Sequence, residues 1–226
     1  MFTNPDEDPD RIVLWKHLFI KVNSVLAETN KVNTYLAVLD KKIDDISKRW
    51  TTILRRSDGS VNFYRDWADY KKGFGNSNQT EFFIGLDKLH ALTTSSPVVE
   101  LKVILRDWDG VERYALYDSF QIGNETENYE IKLLGKYNGT AGDCLSYHRG
   151  KQFSTYDKDN NDGTNCAAVF KGGWWYHKCY ESHLTGPYKQ HENANSIGVS
   201  WNEPEWKGMR YSFKFAEMKI RSKATN

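Results

Sequence analysis

The spacing of apolar residues changes near residue 48 and divides the chain into two parts. In the first part, apolar residues recur at alternating intervals of four and three, forming a heptad seam that only Thr29 interrupts. This pattern predicts a coiled-coil helix over residues 12–48, through which copies of the chain associate as a homo-oligomer. The alternative is a single amphipathic helix packed against its own domain. The seam consists of Leu18, Val22, Val25, Val32, Leu36, Leu39, Ile43 and Ile46.

Before the seam, residues 1–11 contain Pro5, Pro9 and four acidic side chains. Such a composition buries too little apolar surface to order a chain, so this segment is predicted to be disordered.

Residues 49–226 contain several short runs in which apolar and polar residues alternate, as in half-buried strands. Strands are predicted over residues 50–56, on both sides of an Asp109-Gly110 hairpin, over residues 129–137 and over residues 210–221. A helix is predicted to begin at Asn78 or Thr80. Residues 140–195, which we call the late lobe, are rich in glycine, amide, acidic and aromatic residues without a sustained period. The pattern therefore predicts an α+β domain with a twisted antiparallel sheet and a loop-rich late lobe.

The charge balance gives no reason to expect a nucleic-acid or anionic-membrane partner, since 31 lysines and arginines face 30 acidic residues. No apolar run approaches the roughly 20 residues that a membrane span needs. The first residues are acidic where a secretory signal would be basic, so no signal peptide is expected in this chain.

Three cysteines allow at most one intramolecular disulfide. Cys166 and Cys179 do not form a Cys-x-x-Cys pair and lack partners at zinc spacing, so a structural disulfide is favoured over a redox or zinc site. Cys144 is then a spare thiol, and a thiol–imidazole pair with His148 is the less favoured alternative. No nucleophile-elbow, zinc-protease or phosphate-loop motif occurs.

An acidic loop within the late lobe places oxygen-bearing side chains two residues apart, as in Asp157, Asp159 and Asn161. Such spacing suits calcium, although the EF-hand pattern fails; the alternative is an Asx-rich turn that satisfies its own backbone. Three Asn-x-Ser/Thr triplets are candidate glycosylation sites: Asn78, Asn124 and Asn138.

Several long motifs together carry a family resemblance. The segments "RRSDGSVNFYRDWADYKKGFGN", "GTAGDCLSYHRGKQFSTYDKDNN" and "NCAAVFKGGWWYHKCYESHLTGPY" resemble the fibrinogen C-terminal domain, the module of fibrinogen chains, ficolins, tachylectins and angiopoietins. The resemblance runs from Trp50 to about Arg221. The disulfide-bearing segment that opens the family's domain has no counterpart here, so residues 49–226 are predicted to be an N-terminally truncated form. Cys144 stands where the family pattern has serine.

The resemblance implies a secreted, non-enzymatic recognition protein whose late lobe binds a glycan or protein ligand beside a calcium loop. A disulfide between Cys166 and Cys179 and a cis peptide bond at Lys178–Cys179 are implied with it. By position, the implied calcium ligands are Asp159, Asn161, Asp162 and Thr164. The implied ligand-binding residues are Phe170, Lys178, Cys179, Tyr180, Asn195 and Met209. Trp174, Trp175 and Tyr176 are expected to form the core beneath.

Three functions remain open at this point. The first is lectin-like binding of a glycan or acetylated ligand. The second is a receptor-binding signalling ligand of the angiopoietin type. The third is a degenerate, truncated family member.

Overall fold

A computed structural model describes five stretches of the chain, which are residues 9–47, 49–161, 163–190, 197–208 and 211–223. They fall into two units, residues 1–46 and 47–226.

The first unit is one long helix, α1 (Pro9–Ser47). Residues 9–11 therefore belong to a helix, contrary to the prediction of disorder, because proline at the first helical position loses no hydrogen bond and has a suitable φ. Residues 1–8 lie outside the described residues. Where its side chains are described, the seam is uncovered: Leu18 is 50% exposed and Leu36 is 50% exposed. No helix among the described residues has both the length and the apolarity that crossing a membrane requires.

The second unit is built on a seven-stranded antiparallel sheet with the order β2-β3-β1-β11-β4-β5-β8. Among the described residues, the remaining strands form two two-stranded sheets, β6-β7 and β9-β10. The strands are β1 (Thr51–Arg56), β2 (Phe74–Gly75), β3 (Phe82–Phe83), β4 (Val99–Arg106), β5 (Glu112–Tyr117), β6 (Phe120–Ile122), β7 (Ile131–Leu134), β8 (Tyr137–Gly139), β9 (Ser182–His183), β10 (Ser200–Trp201) and β11 (Phe215–Ser222). The helices are α2 (Trp67–Lys72), α3 (Leu86–Thr94) and α4 (Cys166–Phe170).

The β4–β5 hairpin forms where the alternating pattern predicted it. Asp107 closes its turn, since its Oδ1 accepts hydrogen bonds from the backbone N–H groups of Asp109 (3.0 Å) and Val111 (2.8 Å). The alternation of β4 buries Leu101, Val103 and Leu105 completely, so this strand lies in the centre of the sheet and of the core.

The helix predicted from Asn78 begins instead at Leu86. Phe82 and Phe83 pair with Arg55 and Leu54 as β3, so a non-local strand pairing overrides the local helical pattern. Gly85, with φ +101°, ends this strand and caps α3. A side chain at this glycine would collide with the carbonyl of Lys72, 2.6 Å from the position of its Cβ.

Aromatic side chains form the core of the late lobe. Trp174 and Trp175 are each 1% exposed, which confirms that they belong to the core. Trp175 Nε1 donates to the carbonyl of Tyr129 (2.7 Å). Gly173, next to Trp174, allows a close approach to α2, because a Cβ there would lie 2.7 Å from the ring of Tyr70.

A buried ion pair joins the sheet to the late lobe. Arg56 at the end of β1 lies against Glu81, with Nε and Oε1 separated by 3.3 Å. The same guanidinium donates to the carbonyls of Leu184 (3.0 Å) and Gly186 (2.6 Å) in the late lobe. Because a buried guanidinium needs all these acceptors, it fixes where the late lobe sits.

Candidate functional site

A disulfide between Cys166 and Cys179 closes the late lobe, as predicted. Their Cα atoms are 5.4 Å apart, within the range a disulfide spans. Cys166 opens α4, whose N-terminus is capped by Asn165 through a 2.8 Å hydrogen bond from the backbone N–H of Ala168.

The chain reverses immediately before the second cysteine without a cis peptide bond. The expected cis bond at Lys178–Cys179 is wrong, since no peptide bond in the described part of the chain is cis. Instead, Cys179 takes a left-handed φ of +61°, and the N–H of His177 donates to the carbonyl of Cys179 (3.0 Å). The positive φ of Cys179 forms this turn without the cis bond that the resemblance implied.

The predicted ligand-binding residues occupy two environments. Tyr180 is only 3% exposed and lies edge-on to Phe170, with 4.9 Å between ring centres. Burial raises the pKa of Tyr180 to about 12. Lys178 is exposed, next to the disulfide-bonded Cys179. Asn195 and Met209 lie outside the described residues.

The first carboxylate of the acidic loop, that of Asp157, has a structural role. Asp157 Oδ1 accepts from the backbone N–H of Trp67 at the start of α2 (3.0 Å) and from the hydroxyl of Thr155 (2.7 Å). The Lys158 ammonium lies 3.8 Å from the centre of the Trp67 ring. Asp157 therefore anchors the loop to α2.

The candidate calcium ligands follow this anchor. Asp159 Oδ1 accepts from the backbone N–H of Asn161 (3.1 Å), an Asx turn of the kind the sequence allowed. Thr164 is exposed, and Asp162 lies outside the described residues. No group of three or more His, Cys, Asp or Glu side chains gathers for a metal within the described stretches. A carboxylate, an amide oxygen and backbone carbonyls are still the donor types that calcium takes, so the residues fit a weakly charged calcium site.

A polar cleft of about 310 Å³ opens beside the acidic loop. Four segments line it: Glu130, the residues before the loop, the loop itself, and the turn at His177. Its side chains include Lys151, Gln152, Asn160, Asn161, His177 and Lys178. Lys151, Gln152, Asn160 and His177 were not predicted as site residues, because no fixed spacing connects the segments that line the cleft.

The turn at His177 is held by Tyr147. The Tyr147 ring lies 4.9 Å from the imidazole of His177, and its hydroxyl donates to the carbonyl of Lys178 (3.4 Å). The wall of the polar cleft is therefore fixed by the disulfide on one side and by an aromatic contact on the other.

Cys144 and His148 do not form a catalytic pair. Cys144 is a buried free thiol, and burial raises its pKa far above the usual value, with Glu203 and Glu181 adding to the effect. Both nitrogens of His148 are engaged by backbone groups: Nδ1 with the carbonyl of Trp175 (2.7 Å) and Nε2 with the N–H of Ser182 (3.1 Å). The thiol is a packed core group.

The candidate glycosylation sites Asn78, Asn124 and Asn138 are exposed. Asn124 also caps the turn Glu125–Glu127 by accepting a hydrogen bond from the N–H of Glu127. Attachment of a glycan remains a prediction at all three.

Comparison with known proteins identifies the class to which this fold belongs. The family model for the C-terminal globular domain of fibrinogen beta and gamma chains matches residues 22–223, and the chain belongs to this fibrinogen C-terminal domain family. Families with this domain are non-enzymatic recognition proteins, so the prediction of a non-enzymatic protein is confirmed.

Two individual proteins are similar to this chain over most of its length. The chain is 47% identical to ryncolin-4 of Cerberus rynchops, over 76% of this chain and 49% of that protein. It is 46% identical to tenascin of Gallus gallus over 76% of this chain and 9% of that protein. It thus spans about half of the former and a small part of the latter.

Solved structures agree with these relatives. The fibrinogen-like globe domain of human ANGPTL2 superposes with a TM-score of 0.73 at 42% identity, covering 77% of this chain and 81% of that domain. A lamprey fibrin D-dimer, complexed with the peptide ligand Gly-His-Arg-Pro-amide, has a TM-score of 0.72 at 24% identity and shares the fold. It covers 96% of this chain and 94% of that one.

Proposed function

We propose that this chain is an extracellular, lectin-like recognition protein that binds a glycan or acetylated ligand through its late lobe. The observation that carries the proposal is the polar cleft, a concave surface lined by amide and basic side chains between the acidic loop and the turn at His177. Carbohydrate recognition requires such convergent hydrogen-bonding groups on a rigid support. Here the disulfide and the buried Trp174 and Trp175 supply that support.

Calcium has a supporting role in this proposal. Asp159 and Asn161 would hold the ion, with backbone carbonyls at Asp162 and Thr164 completing the set. An amide in place of a carboxylate removes one negative charge and weakens the site. The bound ion would order the loop that forms one wall of the polar cleft.

A glycan array probed with the full chain tests this function, once in millimolar calcium and once in EGTA. We expect binding to a subset of glycans that weakens in EGTA. A folded protein that binds no glycan in either condition would overturn the lectin-like proposal.

The second candidate is a receptor-binding ligand, and the 42% identity to the globe domains of human ANGPTL2 and ANGPTL6 favours it. This alternative predicts no sugar binding and a protein partner for the late lobe. The array separates the two functions, because only the lectin-like protein binds isolated glycans.

We also propose that α1 joins copies of this chain into an oligomer, which would multiply weak single-site contacts. The uncovered seam supports this, since an exposed apolar stripe of this length is costly in water. Leu36→Asp with Leu39→Asp should reduce the mass measured by light scattering to that of a monomer. Asn33→Asp, placed outside the seam, is the matched control and should keep the oligomer. An unchanged mass in the double variant would show that the seam does not hold copies together.

A further inference from the structure

The polar cleft carries more positive than negative charge. Lys151 and Lys178 both line it, and neither forms an ion pair with any described residue. Glu130 also borders the cleft, but its carboxylate lies 3.5 Å from the ammonium of Lys132. The two unpaired lysines therefore set the charge of the cleft.

Lys151 and Lys178 both affect the imidazole of His177. Partial burial lowers the pKa of His177, and the positive charges of Lys151 and Lys178 lower it further. Two lysine charges on the lining of one cleft favour an anion as its occupant.

Two polar atoms of the cleft also lack a hydrogen-bond partner within the described residues. They are Asn161 Nδ2 and His177 Nδ1, and both are buried from solvent. A buried polar atom without a partner is destabilising. A ligand rich in oxygen atoms would satisfy both.

We propose that the polar cleft binds an acidic sugar residue, a pyranose bearing a sulfate or carboxylate group, with Lys151 and Lys178 flanking the anion and Asn161 Nδ2 donating to a sugar oxygen. This inference rests on the proposed lectin-like function and names its ligand class. The amide groups around the cleft suit hydroxyls, which an inorganic anion lacks. At about 310 Å³ the cleft lies at the small end of ligand pockets, a size that suits one sugar unit.

The test compares four probes by NMR titration of the full chain: N-acetylglucosamine 6-sulfate, glucuronic acid, unmodified N-acetylglucosamine and a hexaglutamate peptide. We expect the two acidic sugars to bind more tightly than the neutral one. The preference should shrink as salt rises from 50 to 300 mM, since these charges are partly screened. The two acidic probes distinguish a sulfate from a carboxylate as the preferred group.

Variants place the binding in the polar cleft. Lys151→Gln and Lys178→Gln should each weaken acidic-sugar binding about fivefold, and the pair about twentyfold. Gln152→Glu should also weaken it, because the new carboxylate lies in the cleft while still accepting the hydrogen bond from Asn128. Lys189→Gln, an exposed lysine of the late lobe outside the cleft, is the matched control and should bind like the unaltered chain.

Each other outcome overturns a distinct claim. If neutral and acidic sugars bind equally, or if the lysine variants bind acidic sugars normally, the acidic-sugar site is wrong while lectin-like function stands. If the peptide binds as tightly as the sugars, the cleft recognises negative charge alone, and the assignment to a sugar is wrong. If no sugar binds to the folded chain, the proposed function itself fails.

Discussion

Acidification from pH 7 to pH 5 should lower the free energy of unfolding of the second unit by about 4 kcal/mol. Two imidazoles in the late lobe, His148 and His183, are fully buried and held in the neutral form. Burial lowers the pKa of His148 to about 3 and that of His183 to about 3, with Arg56 adding to the effect on His183.

Burial keeps both rings neutral, and in His148 the hydrogen bonds also leave no acceptor for a second proton. His148 donates through Nδ1 to the carbonyl of Trp175, while Nε2 accepts from the backbone N–H of Ser182. A proton on Nε2 would face that N–H. His183 Nε2 lies 2.8 Å from Tyr176 Oη, and its Nδ1 is buried without a partner among the described residues.

The sign and the size of the predicted loss of stability follow from the linkage between proton binding and folding. A histidine in the unfolded chain has a pKa of about 6.5 and takes up a proton below that pH, whereas these two in the folded chain do not. The unfolded state thus binds more protons, and stability falls as pH drops from about 6.5 toward 3. Over pH 7 to 5 each imidazole contributes about 2 kcal/mol, at up to about 1.4 kcal/mol per pH unit. Total stabilities are typically about 5–15 kcal/mol, so the loss is large.

Urea unfolding at pH 7, 6 and 5 measures this loss, followed by tryptophan fluorescence. Seven of the eight tryptophans lie after residue 48, so the signal reports the second unit. Carboxyl groups titrate mainly below this window. His183→Gln should reduce the pH dependence by about half.

Two results would contradict the predicted loss of stability. One is a change of less than about 1 kcal/mol between pH 7 and pH 5. The other is an NMR titration in which either buried imidazole gains a proton near pH 6.5 in the folded chain. The NMR result stands even where a histidine variant fails to fold.

Three further predictions concern the supports of the late lobe. Replacing Cys166 and Cys179 by alanine should cost about 3 kcal/mol in urea unfolding, and an unchanged midpoint would mean that the closed loop adds no stability. Glu81→Gln leaves the buried charge of Arg56 unpaired and should cost about 3–5 kcal/mol, whereas Glu112→Gln in an exposed pair should cost under about 1 kcal/mol. Equal costs would contradict the importance of burial. Calcium at ten times its dissociation constant should stabilise the unit by about 1.4 kcal/mol relative to EGTA; no shift of the melting temperature at 10 mM calcium would show that the loop holds no ion.

Local pattern was enough to predict the β4–β5 hairpin, because alternation and the Asp109-Gly110 turn lie within one short segment. The same reasoning failed at Phe82 and Phe83. Their neighbours have helical spacing, but their backbone pairs with β1, which lies some 28 residues earlier in the chain. Such a pairing depends on the sheet as a whole and leaves no local signal.

In the candidate site, too, some features were predictable from the sequence and others were not. The disulfide between Cys166 and Cys179 and the burial of Trp174 were predictable from residue type and resemblance. The polar cleft was not, because Lys151 and His177 are ordinary polar residues in their own segments. Only the folded late lobe brings these residues together, and no rule of sequence spacing predicts that they lie close to each other.

Recognition of an acidic sugar by the polar cleft is tested by a two-dimensional NMR titration of the ¹⁵N-labelled full chain with N-acetylglucosamine 6-sulfate. We expect the largest shifts on Lys151, Asn161, His177 and Lys178, and we expect them to shrink when neutral N-acetylglucosamine is used. Shifts confined to other surfaces, or no shifts in a well-folded chain, would contradict the claim that the late lobe recognises sugars through this cleft.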